Sequence, residues 1–219
     1  MTVAIRDEKG VGLQLDQGLT IGYDKPIAEV AESIALERGI HFLLARNGRG
    51  KTTLLKTAAG LLPAIKGSYD LQGDCKFMAD DLSFDRELNA SMVFQAFLPK
   101  SRRDDALAFA ERLELDTRKP FGKLSFGNRK KVGLVVSECS LRGNDVILYD
   151  EPFTGLDTPT RVALLERWNE TGDEALRLVS CHPDLDEMAM PSALLITEGR
   201  ITRAGGGGKT WAELKKLLN

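Results

Sequence analysis

Ala45-Arg46-Asn47-Gly48-Arg49-Gly50-Lys51-Thr52-Thr53 is the stretch that decides the fold of this chain. The apolar residues 40–44 lead into it like a strand, and residues 54–59 lead out of it like a helix. A strand, a glycine loop, Lys-Thr and then a helix are what a phosphate-binding loop requires, because glycines let successive backbone N–H groups turn toward one centre. The positive end of the following helix points at the same place. We therefore predict a P-loop at residues 45–53.

The residues of this loop are predicted to hold the phosphates of a nucleotide. Lys51 adds a full positive charge for the β- and γ-phosphates, and the Thr52 hydroxyl is a ligand for Mg²⁺. The usual motif opens with glycine where this chain has Ala45, so it departs by one methyl group. A chance Gly-Lys-Thr in an ordinary turn is the alternative, and the position between a strand and a helix argues against it. The predicted nucleotide-binding residues of the loop are Asn47, Gly48, Arg49, Gly50, Lys51, Thr52 and Thr53.

Length and composition limit the class of protein. The 219 residues predict one domain, or one domain with an inserted lobe, and a hydrophobic fraction of 42% is enough for a sizeable core. A net charge of −2 gives no overall electrostatic reason to expect nucleic acid or an anionic membrane as a partner. The three cysteines lie far apart and are expected to be reduced thiols of a cytoplasmic protein. No apolar run approaches the ~18 residues that cross a bilayer, so a membrane role needs a spanning partner.

The pattern along the chain changes twice. Short strands and turns are expected up to residue 78, including a strand at residues 31–36, and helices dominate residues 80–139. Strands and helices alternate again from residue 145, which predicts a helical lobe inserted in an α/β core. One helix, from about Asn128 to Ser140, carries Arg129, Lys130 and Lys131 in its first turn, where they oppose the helix dipole. A nearby anionic group would explain them, and a solvated charge cluster is the alternative.

A second set of acidic residues follows an apolar strand. Asp150 and Glu151 come directly after residues 145–149, at the carboxyl edge where open α/β sheets bind ligands. Asp150 can hold Mg²⁺, usually through water, and Glu151 is placed to accept a proton from an attacking water. The alternative is that these acids are ordinary charged residues at the end of a strand, and the P-loop earlier in the chain argues against it.

Further segments occur in a recognisable order. They are Tyr23, Leu124-Ser125-Phe126-Gly127-Asn128, Asp150-Glu151-Pro152, Thr154-Gly155-Leu156-Asp157 and Ser180-Cys181-His182. Together they resemble, over nearly the whole chain, the nucleotide-binding subunit of the ABC transporter family. In that resemblance they correspond to the aromatic residue that stacks on adenine, the signature Leu-Ser-Gly-Gly-Gln, the Walker B end with its catalytic glutamate, the D-loop and the switch histidine.

The resemblance implies a composite site. Ser125, the Gly127 amide and Asn128 would face the γ-phosphate of ATP on an opposite subunit, so two cassettes would close head-to-tail around two ATP-Mg²⁺. His182 would contact the γ-phosphate and hold the attacking water, although a lone histidine could also be a surface residue. The signature position would also explain the basic residues that begin the helix.

The fold that the resemblance implies is α/β. It is a P-loop NTPase core with an N-terminal antiparallel β subdomain and an inserted α-helical subdomain. The whole chain, 1–219, would be a single cassette, with the core lobe at about 1–78 and 141–219 and the helical signature lobe at about 79–140.

The chain also departs from the family pattern. Phe126 replaces a glycine, so a positive φ or a close backbone approach there would be costly. Asn128 replaces glutamine and is shorter by one methylene. The Q-loop glutamine is expected soon after Met78, where this chain has Asp80 and Asp81. A carboxylate can bind Mg²⁺ or water but cannot donate as an amide can, and we expect Asp80 to be a metal ligand.

We therefore predict a transport-coupled ATPase that hydrolyses ATP, because Lys51, Asp150, Glu151 and His182 are retained. It would lie on the inner face of the cell membrane through an integral-membrane permease, docked near residues 80–98, with efflux preferred because the chain is short. The cofactors would be ATP and Mg²⁺, the partners the permease and a second cassette, and no nucleic acid is expected. The alternatives are a regulatory partner in a heteromeric cassette pair, a soluble non-transport ABC ATPase, and a P-loop small-molecule kinase, which leaves the signature-like segment unexplained.

Overall fold

The computed structural model describes residues 10–181, 189–204 and 209–218. No helix within these ranges is long and apolar enough to cross a membrane. The strands are β1 (Gly12–Leu15), β2 (Thr20–Gly22), β3 (Pro26–Val30), β4 (Ile34–Leu36), β5 (Gly39–Ala45), β6 (Tyr69–Gln72), β7 (Asp74–Met78), β8 (Asp145–Tyr149), β9 (Ala175–Cys181), β10 (Ala189–Met190), β11 (Ala193–Thr197), β12 (Arg200–Arg203) and β13 (Lys209–Thr210). The helices are α1 (Lys51–Ala58), α2 (Ala90–Phe97), α3 (Arg103–Arg112), α4 (Phe126–Cys139), α5 (Thr158–Glu170) and α6 (Trp211–Lys215).

Two sheets carry the fold. The larger has eight strands in the order β2-β3-β12-β11-β5-β9-β8-β7, and β11, β5, β9, β8 and β7 run parallel within it. The smaller is antiparallel, in the order β4-β1-β6. Since P-loop strand β5 lies between β11 and β9, and β8 follows β9 in the same parallel direction, the carboxyl ends of β5, β9 and β8 meet at one edge. The chain is thus a mixed α/β protein with an antiparallel N-terminal sheet, as predicted.

The parallel strands are buried on both faces. Along β8, Val146 and Leu148 face a core shared with α1 and the smaller sheet. Ile147 and Tyr149 face a second core shared with the helices between β7 and β8. Alternate side chains of a strand point to opposite faces, so one continuous apolar run serves both cores. Burial on both faces fixes the end of β8, and Asp150 is the next residue.

The strand predicted at residues 31–36 was wrong in its extent. The chain instead forms β3 (Pro26–Val30), bends, and then forms β4 (Ile34–Leu36). The bend is needed because β3 pairs in the larger sheet whereas β4 pairs with β1 in the smaller one. The Ser33 hydroxyl accepts a hydrogen bond from the Gln17 amide at 3.1 Å and supports the turn.

Helix α4 begins two residues earlier than the sequence predicted. Ser125 is its N-cap, and its hydroxyl accepts a hydrogen bond from the Asn128 amide at 3.3 Å. Ser is among the best N-cap residues because it satisfies an otherwise unpaired N–H of the first turn. Ser125 is therefore the sequence signal for the start of the helix, although it was predicted only to bind a phosphate.

Helices α2, α3 and α4 lie between the adjacent strands β7 and β8. Ion pairs join α3 to α5: Arg167 Nη2 lies 2.6 Å from Asp105 Oδ2, and Arg112 Nη1 lies 3.0 Å from Glu170 Oε2. The arrangement agrees with a helical block between two parts of one α/β core. The boundaries assigned to the two lobes from the sequence stay predictions.

A charged cluster lies fully inside the second core. Arg177 on β9 and Glu138 on α4 form an ion pair with Nη2–Oε2 at 2.8 Å, and both side chains have no exposed area. Trp168 Nε1 donates to Glu138 Oε1 at 2.8 Å, and the Tyr149 hydroxyl donates to the same oxygen. Burial, followed by the Glu138 charge, raises the pKa of Tyr149. The cluster ties α4, α5, β8 and β9 together and fixes the strands that carry the site.

His41 is buried on β5, four residues before the P-loop. One ring nitrogen, Nε2, lies 2.8 Å from the carbonyl of Glu37, and Nδ1 lies 2.8 Å from the Ser192 hydroxyl. A carbonyl can only accept, so Nε2 carries the proton and Nδ1 accepts from Ser192. Burial lowers the pKa of His41, and the nearby Arg203 charge lowers it further. The ring is therefore neutral in the folded protein at pH 7.

We expect His41 to make the folded state less stable in mild acid. Because its folded pKa lies below the unfolded value of 6.5, the unfolded state binds more protons in between. The free energy of unfolding should fall as pH drops below about 6.5, by at most about 1.4 kcal/mol per pH unit from this group, and level off below the folded pKa. Urea unfolding of the wild type and His41→Gln between pH 5 and pH 8 measures the difference. Parallel pH profiles for the two proteins would contradict this prediction.

Candidate nucleotide-binding site

The P-loop connects β5 to α1 in the predicted place. Gly48 and Gly50 have positive φ values of 73° and 104°, which side-chain-bearing residues rarely adopt. A Cβ on Gly50 would also lie 2.9 Å from Ile27 Cγ2. Gly50 is the N-cap of α1 and makes no side-chain cap, so the first turn of the helix presents its N–H groups toward the loop. The loop has the backbone that phosphate binding needs.

Ala45 occupies the position where the usual motif has glycine. It is the last residue of β5, is buried, and pairs with Ile196 in the sheet. Positive φ occurs at other non-glycine residues of the described chain, Glu114, Glu151 and Glu198, and not at Ala45. The backbone at this position therefore has no need of glycine.

Ala45→Gly should leave nucleotide binding nearly unchanged. We expect the Kd for ATP to change by less than about threefold, or less than about 0.7 kcal/mol. The free energy of unfolding should fall by about 0.5–1 kcal/mol, because glycine is more flexible when unfolded. Fluorescence titration and urea unfolding measure the two quantities. A large gain in affinity would mean that the alanine methyl strains the loop.

Lys51 opens α1 and is buried. Its Nζ lies 3.2 Å from Glu151 Oε1 and donates to the Ala45 carbonyl at 3.4 Å. The P-loop lysine and the acid after β8 are thus brought together from positions far apart in the chain. The ion pair links the phosphate-binding end of the cleft to the predicted general base.

Asp150 lies at the carboxyl end of β8 and is 7% exposed. Its Oδ1 accepts hydrogen bonds from the Thr52 hydroxyl at 3.1 Å and from the Ser180 hydroxyl at 2.9 Å. Burial raises the pKa of Asp150, and these two hydrogen bonds counter part of that rise. Since hydroxyl and carboxylate oxygens are the ligands that Mg²⁺ prefers, Thr52 and Asp150 form a donor set that fits this ion.

Glu151 follows with an unusual backbone. Its φ is +49°, its N–H donates to Ser180 Oγ at 3.0 Å, and its carbonyl accepts from Lys130 Nζ at 2.7 Å. The carboxylate contacts Lys51 and accepts from the Thr154 hydroxyl at 3.1 Å. Backbone and side chain are both held, which orients the carboxylate toward the P-loop.

One cleft of about 510 Å³ collects most of the predicted residues, and we call it the P-loop cleft. Tyr23 stands at its rim with 59% of its surface exposed, and its stacking on a base stays a prediction. Ile27, which the sequence had not assigned, also lines it. The predicted residues that line the cleft are Tyr23, Asn47, Gly48, Gly50, Lys51, Thr52, Thr53, Asp80, Asp150 and Glu151.

The other predicted residues lie elsewhere. Within the described ranges, Arg49, Ser125, Gly127 and Asn128 do not line the P-loop cleft. The last three sit at the start of α4, where Ser125 is exposed. His182 lies outside the described residues. A role in this chain's own cleft is therefore not supported for the signature-like residues, and a role toward another subunit stays a prediction.

The backbone of Phe126 does not have the positive φ that would be costly for a residue with a side chain. The residue occupies the first position of α4, with its ring 56% exposed, and is absent from the positive-φ residues of the described chain. The close approaches occur beside it: a Cβ on Gly127 would lie 2.4 Å from the Gly155 carbonyl, and one on Gly155 would lie 2.6 Å from the Phe126 ring. The glycines at 127 and 155 are required, whereas position 126 accepts an aromatic ring.

The three basic residues of α4 find their partners inside the chain. Arg129 donates to the Phe121 and Gly122 carbonyls, at 3.2 and 3.0 Å. Lys131 is buried and donates to the Leu113 carbonyl at 2.6 Å. Lys130 reaches Asp80 and Glu151. A solvated charge cluster is thus wrong for the two lysines, and carbonyls and carboxylates of this chain account for all three residues.

Three residues support the site through contacts that were not predicted from the sequence. Ser180 supports Asp150 and Glu151, Thr154 holds the Glu151 carboxylate, and Lys130 holds the Glu151 carbonyl. Ser180 had a usable signal, because it is the next-to-last residue of β9, which runs parallel to β8. Lys130 had none, since its partners lie 50 and 21 residues away.

Comparisons with known proteins agree with this geometry. The family model for ABC transporters matches residues 33–154. The probable multidrug ABC transporter ATP-binding protein YbhF of Escherichia coli is 29% identical over 209 residues, covering 84% of this chain and 35% of that protein. The thiamine import ATP-binding protein ThiQ of Salmonella typhimurium is 27% identical over 197 residues, covering 79% and 83%. This chain therefore spans about a third of the first relative and most of the second.

Solved structures agree as well. A putative ABC transporter ATP-binding protein from Pyrococcus furiosus superposes with a TM-score of 0.69 and 25% identity, covering 80% of this chain and 92% of that one. The fold class predicted from the sequence, a P-loop NTPase core of the ABC type, is confirmed. The family match covers more than half of the chain and includes both the P-loop and Asp150-Glu151. The chain therefore belongs to the ABC transporter family and has the fold of its ATP-binding subunits.

Proposed function

We propose that the chain binds and hydrolyses ATP as the nucleotide-binding subunit of an ABC transporter, driving transport through a separate membrane-spanning subunit. The meeting of Lys51, Thr52, Asp150 and Glu151 in one cleft carries the proposal. These residues are the phosphate cation, the hydroxyl and carboxylate ligands and the general base of a phosphoryl-transfer site. Membership of the family supports the proposal that the chain binds ATP, and the residues of the cleft support the proposal that it hydrolyses ATP.

ATP binding uses a few features of this chain. The adenine stacks on Tyr23 at the rim, and the phosphates lie on the P-loop, where the N–H groups that begin α1 and the Lys51 ammonium face them. Lys51 is paired with Glu151 at 3.2 Å. A γ-phosphate would draw the ammonium toward itself and weaken that pair, so substrate binding would free the Glu151 carboxylate to accept a proton.

Mg²⁺ would be held by Thr52 and Asp150, whose oxygens already meet at 3.1 Å. When bound, the ion would neutralise charge that develops on the phosphate oxygens. Asp80, predicted as a further ligand, lines the same cleft, but its Oδ1 also lies 2.5 Å from Lys130 Nζ. Mg²⁺ commonly keeps several waters and binds through one or two carboxylates plus substrate phosphates, so Asp150 alone is a sufficient carboxylate.

Glu151 is proposed as the general base and His182 as the residue that holds the attacking water. Ser125, the Gly127 amide and Asn128 are proposed to bind the γ-phosphate of ATP in a second cassette. Their position at the N-terminus of α4, outside the P-loop cleft, supports that trans role. Two chains, identical or not, would thus close around two ATP-Mg²⁺.

The direction of transport stays outside the proposal. Efflux was preferred from the short chain, but the relatives include one named for multidrug transport and one named for thiamine import at similar identity. The rival functions are a regulatory cassette that binds ATP without turning it over and an ABC ATPase that acts on ribosomes or DNA. The net charge of −2 supports neither nucleic-acid role.

Mg²⁺-dependent ATP turnover by the purified chain, alone and with its membrane partner, tests the proposal. We expect phosphate release that stops when EDTA removes the ion, and co-purification with a membrane fraction that contains a multi-span protein from the neighbouring reading frame. A preparation of Glu151→Gln reports contaminating ATPases. No turnover in either form would reject hydrolysis, and co-purification with ribosomes would reject the transport role.

A further inference from the structure

Two departures from the family motifs meet at one lysine. Lys130 Nζ lies 2.5 Å from Asp80 Oδ1 and 5.3 Å from the centroid of the Phe126 ring. Asp80 stands where the Q-loop glutamine was expected, and Phe126 stands where the signature has glycine. Read along the chain these are unrelated changes 46 positions apart, yet both contact one ammonium group.

Lys130 needs such partners because its side chain is only 2% exposed. A buried ammonium is tolerated when it is paired with a charge and its donors are satisfied. Asp80 supplies the charge, and the Glu151 carbonyl accepts at 2.7 Å. The face of an aromatic ring attracts a cation, so Phe126 completes the surroundings of the ammonium. A glutamine at position 80 would leave the charge of Lys130 unbalanced.

The contact with Glu151 has a consequence for its side chain. Glu151 has φ +49°, a left-handed conformation that is uncommon in non-glycine residues. Lys130 holds its carbonyl, and Ser180 Oγ accepts from its N–H at 3.0 Å. The two groups clamp the peptide units on either side of the Glu151 Cα. The direction of the carboxylate, and hence its place beside Lys51, depends on that clamp.

We propose that Lys130 is a positioning residue for the general base Glu151, with Asp80 as its counter-ion and Phe126 as its cover. The assignment rests on the proposed ATP hydrolysis. Asp80, at the position expected for the Q-loop glutamine, thus stabilises the ammonium of Lys130. It does not need to coordinate Mg²⁺ for this role. The unusual residues 80 and 126 are then a matched set that keeps the site active.

The ion pair is tested without nucleotide or Mg²⁺ by a double-mutant cycle of urea unfolding. Asp80→Asn leaves a buried ammonium without its charge partner, so of the variants in the cycle it should raise the equilibrium constant for unfolding most. Adding Lys130→Gln removes that ammonium, and the double variant should be more stable than the sum of the singles predicts, by about tenfold in the equilibrium constant. Effects that add within about twofold would overturn the pairing.

The positioning role is tested by kinetics. Lys130→Gln should lower kcat for ATP by about 10- to 100-fold and change KM by less than about threefold, because geometry is lost while the phosphate-binding loop is untouched. Lys130→Arg should recover part of kcat, since it keeps the charge. Lys131→Gln is the matched control: it removes an equally buried lysine of the same helix turn, whose partner is the Leu113 carbonyl. This control should lose stability and keep kcat.

Magnesium dependence separates the two roles of Asp80. As a counter-ion, Asp80→Asn should reduce kcat without changing the Mg²⁺ concentration at half-maximal turnover. A clear rise in that concentration would identify a metal ligand and overturn the assignment. Unchanged kcat in Lys130→Gln, with an active wild type, would overturn the inference alone. An inactive wild type would reject the proposed function and the positioning role together, while the unfolding cycle would still report on the ion pair.

Discussion

Glu151→Gln should lower kcat for ATP by about 100-fold or more, because general base catalysis contributes about 10²- to 10⁴-fold and an amide cannot accept the proton. The substitution keeps the size of the side chain and a hydrogen-bond acceptor for Lys51 and Thr154. ATP binding should therefore be retained. Phosphate release under saturating ATP and fluorescence titration of the nucleotide measure the two effects. ATP should also accumulate in the bound state, which would favour the proposed dimer in gel filtration.

Glu198→Gln is the matched control for this substitution. Glu198 has the same φ of +49°, is exposed, and lies in the turn between β11 and β12. Its variant should keep the wild-type kcat. If Glu151→Gln also kept it, the chain would bind ATP without using Glu151, as the regulatory-cassette alternative expects. A loss of ATP binding in Glu151→Gln would instead show that the acid supports the loop.

Arg177→Met should produce the largest loss of stability. It leaves the Glu138 carboxylate fully buried without its cation, and breaking such a pair costs about 3–5 kcal/mol. Arg177 Nη1 and Nη2 also donate to the carbonyl and hydroxyl of Thr171, at 3.0 and 2.7 Å. At about 2–4 °C per kcal/mol for a chain of this size, Tm should fall by roughly 6–20 °C. Thermal and urea unfolding followed by circular dichroism measure the change.

A second substitution separates charge from packing at this cluster. Arg177→Met with Glu138→Gln removes the unbalanced charge and keeps an oxygen that can accept from Trp168 Nε1, so part of the stability should return. Arg118→Met is the control, because Arg118 is exposed and its loss should change the unfolding free energy by less than about 0.5 kcal/mol. The prediction would be contradicted if the free energy of unfolding of Arg177→Met lay within about 1 kcal/mol of the wild-type value, because many ordinary substitutions cost that much.

Much of the site followed from local patterns. The P-loop needs glycines at positions of positive φ directly after a strand, and Gly48 and Gly50 have that conformation. The continuous apolar run at residues 145–149 predicted a strand, and its end placed Asp150 at the ligand-binding edge. Such features depend on neighbours a few residues apart, so they can be read from one sequence. The predicted bounds of the strand at residues 31–36 were wrong for the same reason. The bend there is decided by pairing with two different sheets, which involves residues far away in the chain.

The sequence alone determined that a phosphate-binding loop precedes a helix, that an acidic pair ends a buried strand, and that a helical block interrupts an α/β core. Only the tertiary structure decided that Lys51 pairs with Glu151, that Lys130 pairs with Asp80, and that Phe126 covers both Lys130 and Gly155. The physical reason is that glycine conformations and strand burial are set by short-range sterics and hydrophobic periodicity. The partner of a buried charge depends on which distant elements pack together. The residues around a lysine at a helix start do not indicate which carboxylate will neutralise it.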